Sequence, residues 1–128
     1  MEYYDQIWQA IIRPPRAEYS SKDLGPREFL ISSGLRVLRT DLEIETRGLK
    51  MQCSHFEPLE SKREWKEMPC VIYCHGNSSC RLEALELVDY FLSSNITLFC
   101  FDFPGCGLSE GEYISLGWFE RDDVDVIV

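Results

Sequence analysis

Two short loops of this sequence carry side chains that could take part in catalysis. The first is His75-Gly76-Asn77-Ser78-Ser79, directly after the apolar run 70–74, and the second is 102–109, directly after the apolar run 96–101. Glycine allows a sharp turn after a strand, and the N–H groups that follow such a turn can donate to a developing oxyanion. Asn77 is the best candidate for that backbone donor. A plain strand-to-helix turn with a structural His75 explains the same residues equally well.

The second loop is Asp102-Phe103-Pro104-Gly105-Cys106-Gly107-Leu108-Ser109. It lacks the lysine and the spacing of a P-loop, and no third glycine completes a dinucleotide fingerprint. We interpret it as a rigid turn in which Asp102 accepts hydrogen bonds from backbone amides, with Asp102 as a catalytic acid the less favoured alternative. Cys106 as a nucleophile is also disfavoured, because the sequence places no histidine beside it. Gly107-Leu108-Ser109-Glu110-Gly111 matches the nucleophile motif G-x-S-x-G in its letters, but that motif needs a strand directly before the serine and a helix directly after it, and Ser109 follows a glycine-rich turn. We therefore do not expect Ser78, Ser79 or Ser109 to be the nucleophile.

Hydrophobic periodicity predicts the elements that position these loops. Runs 70–74 and 96–101 are continuously apolar, which is typical of strands buried on both faces. Between them, apolar residues recur at helical spacing. These residues are Leu82, Leu85, Val88 and Leu92. The pattern predicts a parallel β-α-β crossover, with Ser78 or Ser79 as the N-cap of its helix, so both loops would lie at the carboxyl ends of the strands.

The rest of the chain fits one α/β domain. Alternating residues predict an antiparallel hairpin over 35–56 with its turn at Arg47-Gly48 and with Ser54 on the wet face. Residues 57–68 form a solvated connection in which Trp65 packs back on the domain. Residues 1–12 predict a short amphipathic helix docked on its own domain, and a helix that touches a membrane or a partner is the alternative. The expected segments are an N-terminal extension 1–34, the hairpin 35–56, a β-α-β unit 69–111 and a truncated helix 115–128.

Composition narrows the function further. The net charge of -9 argues against a nucleic-acid partner, and no apolar run is long enough to span a bilayer. No signal peptide is visible at the start, so we expect a cytoplasmic protein. The six cysteines include no C-x-x-C pair, and we expect them to be buried, reduced thiols. We expect no metal and no cofactor.

Taken together, the motifs resemble the α/β-hydrolase superfamily, and most closely its serine aminopeptidase S33-like (hydrolase-4) branch found in plants and protists. The resemblance covers nearly the whole chain. It rests on residues 11–17, 69–79, 102–111 and 115–118, and on Asp122-Asp123. It implies an incomplete α/β-hydrolase fold in which the Asn77 amide forms half of an oxyanion hole. His75, Gly76, Ser78, Asp102, Gly105 and Gly107 would be structural residues of the site loops.

The resemblance also implies what the chain does not contain. The nucleophilic serine, the acid and the base of a Ser-His-Asp triad would all lie beyond Val128, so the expected function is that of an N-terminal fragment of a serine hydrolase, inactive by itself. The full-length parent would act on a small-molecule or peptide acyl substrate. The alternative is a short non-catalytic binding module. In either case the strand 70–74 would be an unpaired sheet edge through which the chain self-associates.

Overall fold

In the computed structural model, residues 2–59, 63 and 65–128 are described and form a five-stranded mixed sheet. The strands are β1 (Glu28–Leu30), β2 (Arg36–Thr46), β3 (Leu49–Pro58), β4 (Cys70–Cys74) and β5 (Thr97–Phe101). Their order across the sheet is β1-β2-β3-β5-β4. The helices are α1 (Glu2–Ile12), α2 (Val88–Ser93) and α3 (Glu120–Ile127), and 3-10 segments cover Ser21–Leu24 and Arg81–Leu87.

The predicted β-α-β unit is confirmed. Strands β4 and β5 pair in parallel, with Cys70 opposite Thr97 and Cys74 opposite Phe101. The segment Arg81–Leu87 and α2 connect them and pack Val88 and Leu92 on one face of the sheet. Helix α3 covers the other face, where Val124 and Ile127 contact a second apolar cluster around Phe101 and Phe103. Because helices cover both faces of a mixed sheet, the predicted α/β class is also confirmed.

The β2–β3 hairpin has the predicted turn. Arg47 and Gly48 both have positive φ, 51° and 73°, as a two-residue type I′ turn requires. The expectation that Ser54 faces water is wrong, because its side chain is fully buried. Its hydroxyl donates to Asp41 and accepts from Arg81, so a polar network occupies that part of the sheet surface.

The N-terminal region differs most from the prediction. Strand β1 pairs antiparallel with β2 inside the segment that was expected to be only an extension. Helix α1 was expected to dock on the domain, but none of its residues is buried. Its apolar face is instead open to solvent, with Ile7, Trp8 and Ile11 each about half exposed. Contacts of this region with the domain lie at the last residue of the helix and beyond it, where the Ile12 carbonyl accepts a hydrogen bond from Ile114 and the Arg16 guanidinium donates to the Ser109 carbonyl at 3.1 Å.

Two expectations near β4 are corrected as well. Cys53, Cys80, Cys100 and Cys106 are buried and unpaired, whereas Cys70 and Cys74 are exposed because they are the end residues of an edge strand. Trp65 is about half exposed rather than packed back. Residues 60–62 and 64 of the predicted connection 57–68 lie outside the described residues. Across the described part of the chain, every helix is too short or too polar to pass through a bilayer.

Candidate functional site

The parallel pairing of β4 and β5 brings the two glycine-bearing loops side by side. His75 follows β4, and its Nε2 atom accepts a hydrogen bond of 3.0 Å from the backbone N–H of Phe103, which follows β5. Because Nε2 accepts, the ring proton must lie on Nδ1, which donates to the Gly76 carbonyl at 2.8 Å. The His75 ring is 8% exposed and packs edge-on against Phe103. Both ring nitrogens are therefore occupied, and His75 joins the two loops.

The sharp bend of the first loop lies at a different residue from the one expected. Ser78 has a φ of 58°, whereas Gly76 has no positive φ and a Cβ there would meet nothing closer than 3.8 Å. Ser78 is also not the N-cap of the following segment, because a cap residue needs extended backbone. That place is taken by Cys80, which makes no side-chain capping bond. The strained residue of this loop is thus a serine.

Asn77 stands between these two residues and lines a cleft of about 200 Å³. In residues 2–59, 63 and 65–128, its backbone N–H donates no hydrogen bond. The neighbouring Gly76 N–H is already taken by the Glu83 carboxylate. The remaining walls of the cleft come from both loops, from the region before α3 and from the first residue of α3. They are His75, Gly76, Phe103, Cys106, Ile114, Leu116, Gly117 and Glu120.

Asp102 organises the second loop. Its side chain is fully buried, and it accepts hydrogen bonds from the backbone amides of Arg81 at 2.6 Å and Leu108 at 2.9 Å. Gly107 has a φ of 49°, and Gly105 has a φ of 83° with a hypothetical Cβ only 2.6 Å from the Tyr113 carbonyl. Both glycines are therefore required by conformation and by space. Asp102 serves as the acceptor around which this loop closes.

Two further residues of the site had no motif in the sequence. The Tyr19 hydroxyl donates to Asp102 at 2.5 Å and accepts from the buried Arg81 guanidinium at 2.8 Å. Burial, followed by the hydrogen bond to Asp102, raises the pKa of Tyr19, so the phenol stays neutral. These contacts join residues 83 and 62 positions apart. Spacing along the sequence could not have indicated them.

The other nucleophile candidates of these loops are occupied or neutral. The Ser109 hydroxyl donates to the Asp102 carbonyl at 2.6 Å and accepts from the Gln52 amide at 2.8 Å. Burial raises the pKa of the Cys106 thiol to about 11, so it is protonated at neutral pH. Neither residue is an activated nucleophile.

Two carboxylates of α3, the half-buried Glu120 and the buried Asp123, hold this helix and the segment before it in place. The Glu120 carboxylate accepts from the amides of Ser115 at 2.8 Å and Gly117 at 3.0 Å. Burial acts to raise the pKa of Glu120, but these hydrogen bonds outweigh it and lower the pKa. The fully buried Asp123 accepts from Thr46 and from Arg47 at the β2–β3 turn, with the shortest Arg47 contact at 2.9 Å. Helix α3 is thereby tied to the hairpin.

Glu83 is a third residue that the motifs did not indicate. It lies in the 3-10 segment, and its carboxylate accepts from the Tyr73 hydroxyl at 2.5 Å and from the Gly76 amide at 3.3 Å. Its position in the sequence could have indicated this role, because a glutamate one turn into a helix can reach back to the residues before the helix.

Comparison with known proteins gives a result at the level of fold. No protein-family model and no curated protein matches the chain. Two crystal structures of an esterase from Pyrococcus furiosus match it with TM-scores of 0.58 and 0.57, both at 24% sequence identity. The matches cover 90% of this chain but only 38% and 40% of the esterase chain. This chain therefore shares the fold of the matching part of that esterase and spans less than half of the esterase's length.

Proposed function

We propose that this chain is the N-terminal part of a cytoplasmic serine hydrolase of the S33-like branch, which acts on ester, thioester or amide bonds. The observation that carries the proposal is the Asn77 amide, which is left without an acceptor in the described part of the chain and lines a cleft beside β4 and β5. The shared fold with an esterase supports it. The cytoplasmic location, the S33-like branch and the class of bond that is cleaved are all parts of this proposal.

The proposed chemistry is acyl transfer to a serine. A serine beyond Val128 attacks the acyl carbonyl, a histidine beyond Val128 takes the serine proton, and the carbonyl oxygen becomes an oxyanion. The oxyanion then collapses, the bond to the alcohol, thiol or amine breaks, and the histidine gives its proton to that leaving group. Water hydrolyses the acyl-serine by the same steps. The Asn77 N–H donates to that oxyanion, and a second donor follows the serine. Removing one such donor typically lowers the rate about 10²–10³-fold. Side chains and amides suffice for these steps, so no cofactor is included.

A fluorophosphonate probe, which bonds covalently to activated serines, tests this proposal. The 128-residue chain is expected to stay unlabelled, and a longer cellular product that contains this sequence is expected to be labelled. In that longer product, Asn77→Pro removes the amide hydrogen and should slow labelling about 10²–10³-fold, whereas Asn77→Ala keeps it and should label normally. Labelling of the 128-residue chain, or equal rates for the two variants, would contradict the proposal.

A second function is a non-catalytic module that self-associates through β4. Among the described strands, β4 pairs only with β5, and its end residues Cys70 and Cys74 are exposed. An apolar strand with one free edge is a template for pairing with another chain. A stable cellular species of 14.9 kDa that is dimeric in light scattering would favour this module. Cys70→Lys should then dissociate the dimer and Cys70→Ser should not.

A further inference from the structure

Glu83 holds the chain on both sides of Asn77. Its carboxylate accepts from Tyr73, which lies before the turn, and from Gly76 within the turn. The hydroxyl of Ser79, which follows the turn, supplies a third hydrogen bond to the same carboxylate. One side chain therefore connects the end of β4, the start of the loop and the start of the 3-10 segment.

The loop needs such a restraint because it contains a strained residue. A left-handed backbone at a residue other than glycine costs about 1–2 kcal/mol, and it persists only where neighbouring groups hold it. Ser78 has this conformation, with φ at 58°. The Glu83 bonds fix the residues immediately before and after Asn77 and Ser78, which leaves the loop little freedom to relax.

The hydrogen bonds of Glu83 affect the conformation of this loop more than the stability of the whole domain. Glu83 is an exposed residue, and hydrogen bonds of exposed carboxylates contribute little to the free energy of unfolding. Glu83 occupies the Gly76 amide, so that amide is not available to a ligand. The Asn77 amide is the one that lines the cleft without an acceptor in the described residues.

We propose that Glu83 is a positioning residue, whose carboxylate holds Tyr73, Gly76 and Ser79 so that the Asn77 N–H is presented to the cleft. This inference rests on the proposed function, since the amide needs presenting only if an oxyanion forms there. Glu86 offers a matched control. It is exposed on the same 3-10 segment, and within the described part of the chain it hydrogen-bonds none of these three residues.

An NMR titration of the Gly76 amide tests the contact in the 128-residue chain. Hydrogen bonds from Ser79 and Tyr73 lower the pKa of Glu83, so the amide proton should shift in one step with a midpoint below the ordinary value of a glutamate side chain. The step should vanish in Glu83→Gln and persist in Glu86→Gln. The comparison of variants is needed because other titratable groups are near. They are Tyr73, His75, Cys80 and Glu86. A step that persists in Glu83→Gln would overturn the proposal.

A second measurement at pH 7 needs no titration. The heteronuclear NOE of the Asn77 amide should fall in Glu83→Ala and stay unchanged in Glu86→Ala, while the thermal midpoint of both variants moves by less than about 3 °C. An unchanged NOE in Glu83→Ala would overturn the role of Glu83. Both measurements use the folded chain without hydrolysis. If no longer product reacts with the serine probe, the proposed function fails, and the NMR results still decide whether Glu83 orders the loop.

Discussion

The Oδ2 atom of Asp102 lies 2.3 Å from the point that a Cβ atom would occupy at Gly107. The Asp102 carboxylate is fully buried and is held by the backbone amides of Arg81 and Leu108. It cannot move aside without leaving those amides unpaired. The carboxylate therefore fills the space that a side chain at residue 107 would need.

Gly107→Ala is expected to lower the free energy of unfolding by about 2–5 kcal/mol, because a strained positive φ adds to a clash with a fixed carboxylate. Gly48→Ala is the matched control, since Gly48 also has a positive φ but nothing within 4 Å of a Cβ. In Gly48→Ala, backbone strain alone should lower the free energy of unfolding by about 1–2 kcal/mol. Urea denaturation measures the free energy of unfolding of both variants. Equal decreases would show that the Asp102 carboxylate can move aside for a side chain at residue 107.

The ion pair between Asp123 and Arg47 should decide whether α3 stays on the sheet. Asp123→Ala is expected to lower the free energy of unfolding by about 2–3 kcal/mol. This loss is smaller than for a fully buried ion pair, because the Arg47 side chain is 34% exposed and regains contact with water. Asp122→Ala, one residue away, removes only an exposed pair with Arg121 and should change stability by less than about 0.5 kcal/mol. Similar values for the two variants in urea denaturation would contradict the anchoring role.

The hydrogen bonds of His75 predict one neutral tautomer. The ¹⁵N spectrum of the neutral ring should show a protonated Nδ1 and an unprotonated Nε2, because Nε2 accepts from the Phe103 N–H. His75→Ala leaves that buried amide without its acceptor and should lower the free energy of unfolding by about 1–3 kcal/mol. A proton found on Nε2 would rule out the contact with Phe103.

The buried thiols predict a loss of stability in alkali. Burial raises the pKa of Cys53 and Cys100 to about 12 and that of Cys106 to about 11. Because these folded-state values exceed the unfolded value of about 8.5, the folded protein retains more protons. The stability that the neutral thiols contribute is complete below about pH 8.5 and is lost as pH rises toward the folded-state values.

Urea denaturation under reducing conditions between about pH 8.5 and 10.5 measures this loss. The slope should approach about 1.4 kcal/mol per pH unit for each thiol. Cys53→Ala should flatten the slope, whereas Cys70→Ala, which alters an exposed thiol, should leave it as in the unmodified chain. The same slope in all three proteins would show that the buried thiols do not titrate differently from exposed ones.

The sequence was informative where local pattern determines structure. Continuous apolar runs predicted β4, β5 and their parallel pairing, and Arg47-Gly48 predicted the hairpin turn. The two strands and the turn depend on residues close together in the chain, and the parallel pairing follows from the helical spacing of the residues between the strands. The aspartate at position 102 and the glycines after it also predicted a rigid loop in which a carboxylate accepts hydrogen bonds from backbone amides.

Features that depend on distant residues were missed. Ser54 alternates as a water-facing residue should, but the Arg81 guanidinium approaches from another element and buries it. Strand β1 has only three residues and gains its place by pairing with β2. Helix α1 has the pattern of a docked helix, and pattern alone cannot say whether a partner surface lies beside it.

The hydrogen bond between His75 and Phe103 also bears on how the chain is made. It joins residues 28 positions apart, so during synthesis the His75 loop leaves the ribosome before its donor does. Non-local parallel pairing forms slowly, and until β5 arrives the apolar run of β4 has no neighbour. The nascent protein is therefore most open to aggregation while residues 75–103 emerge from the ribosome. Binding by a chaperone during that interval would protect the loop on which the proposed oxyanion donor depends.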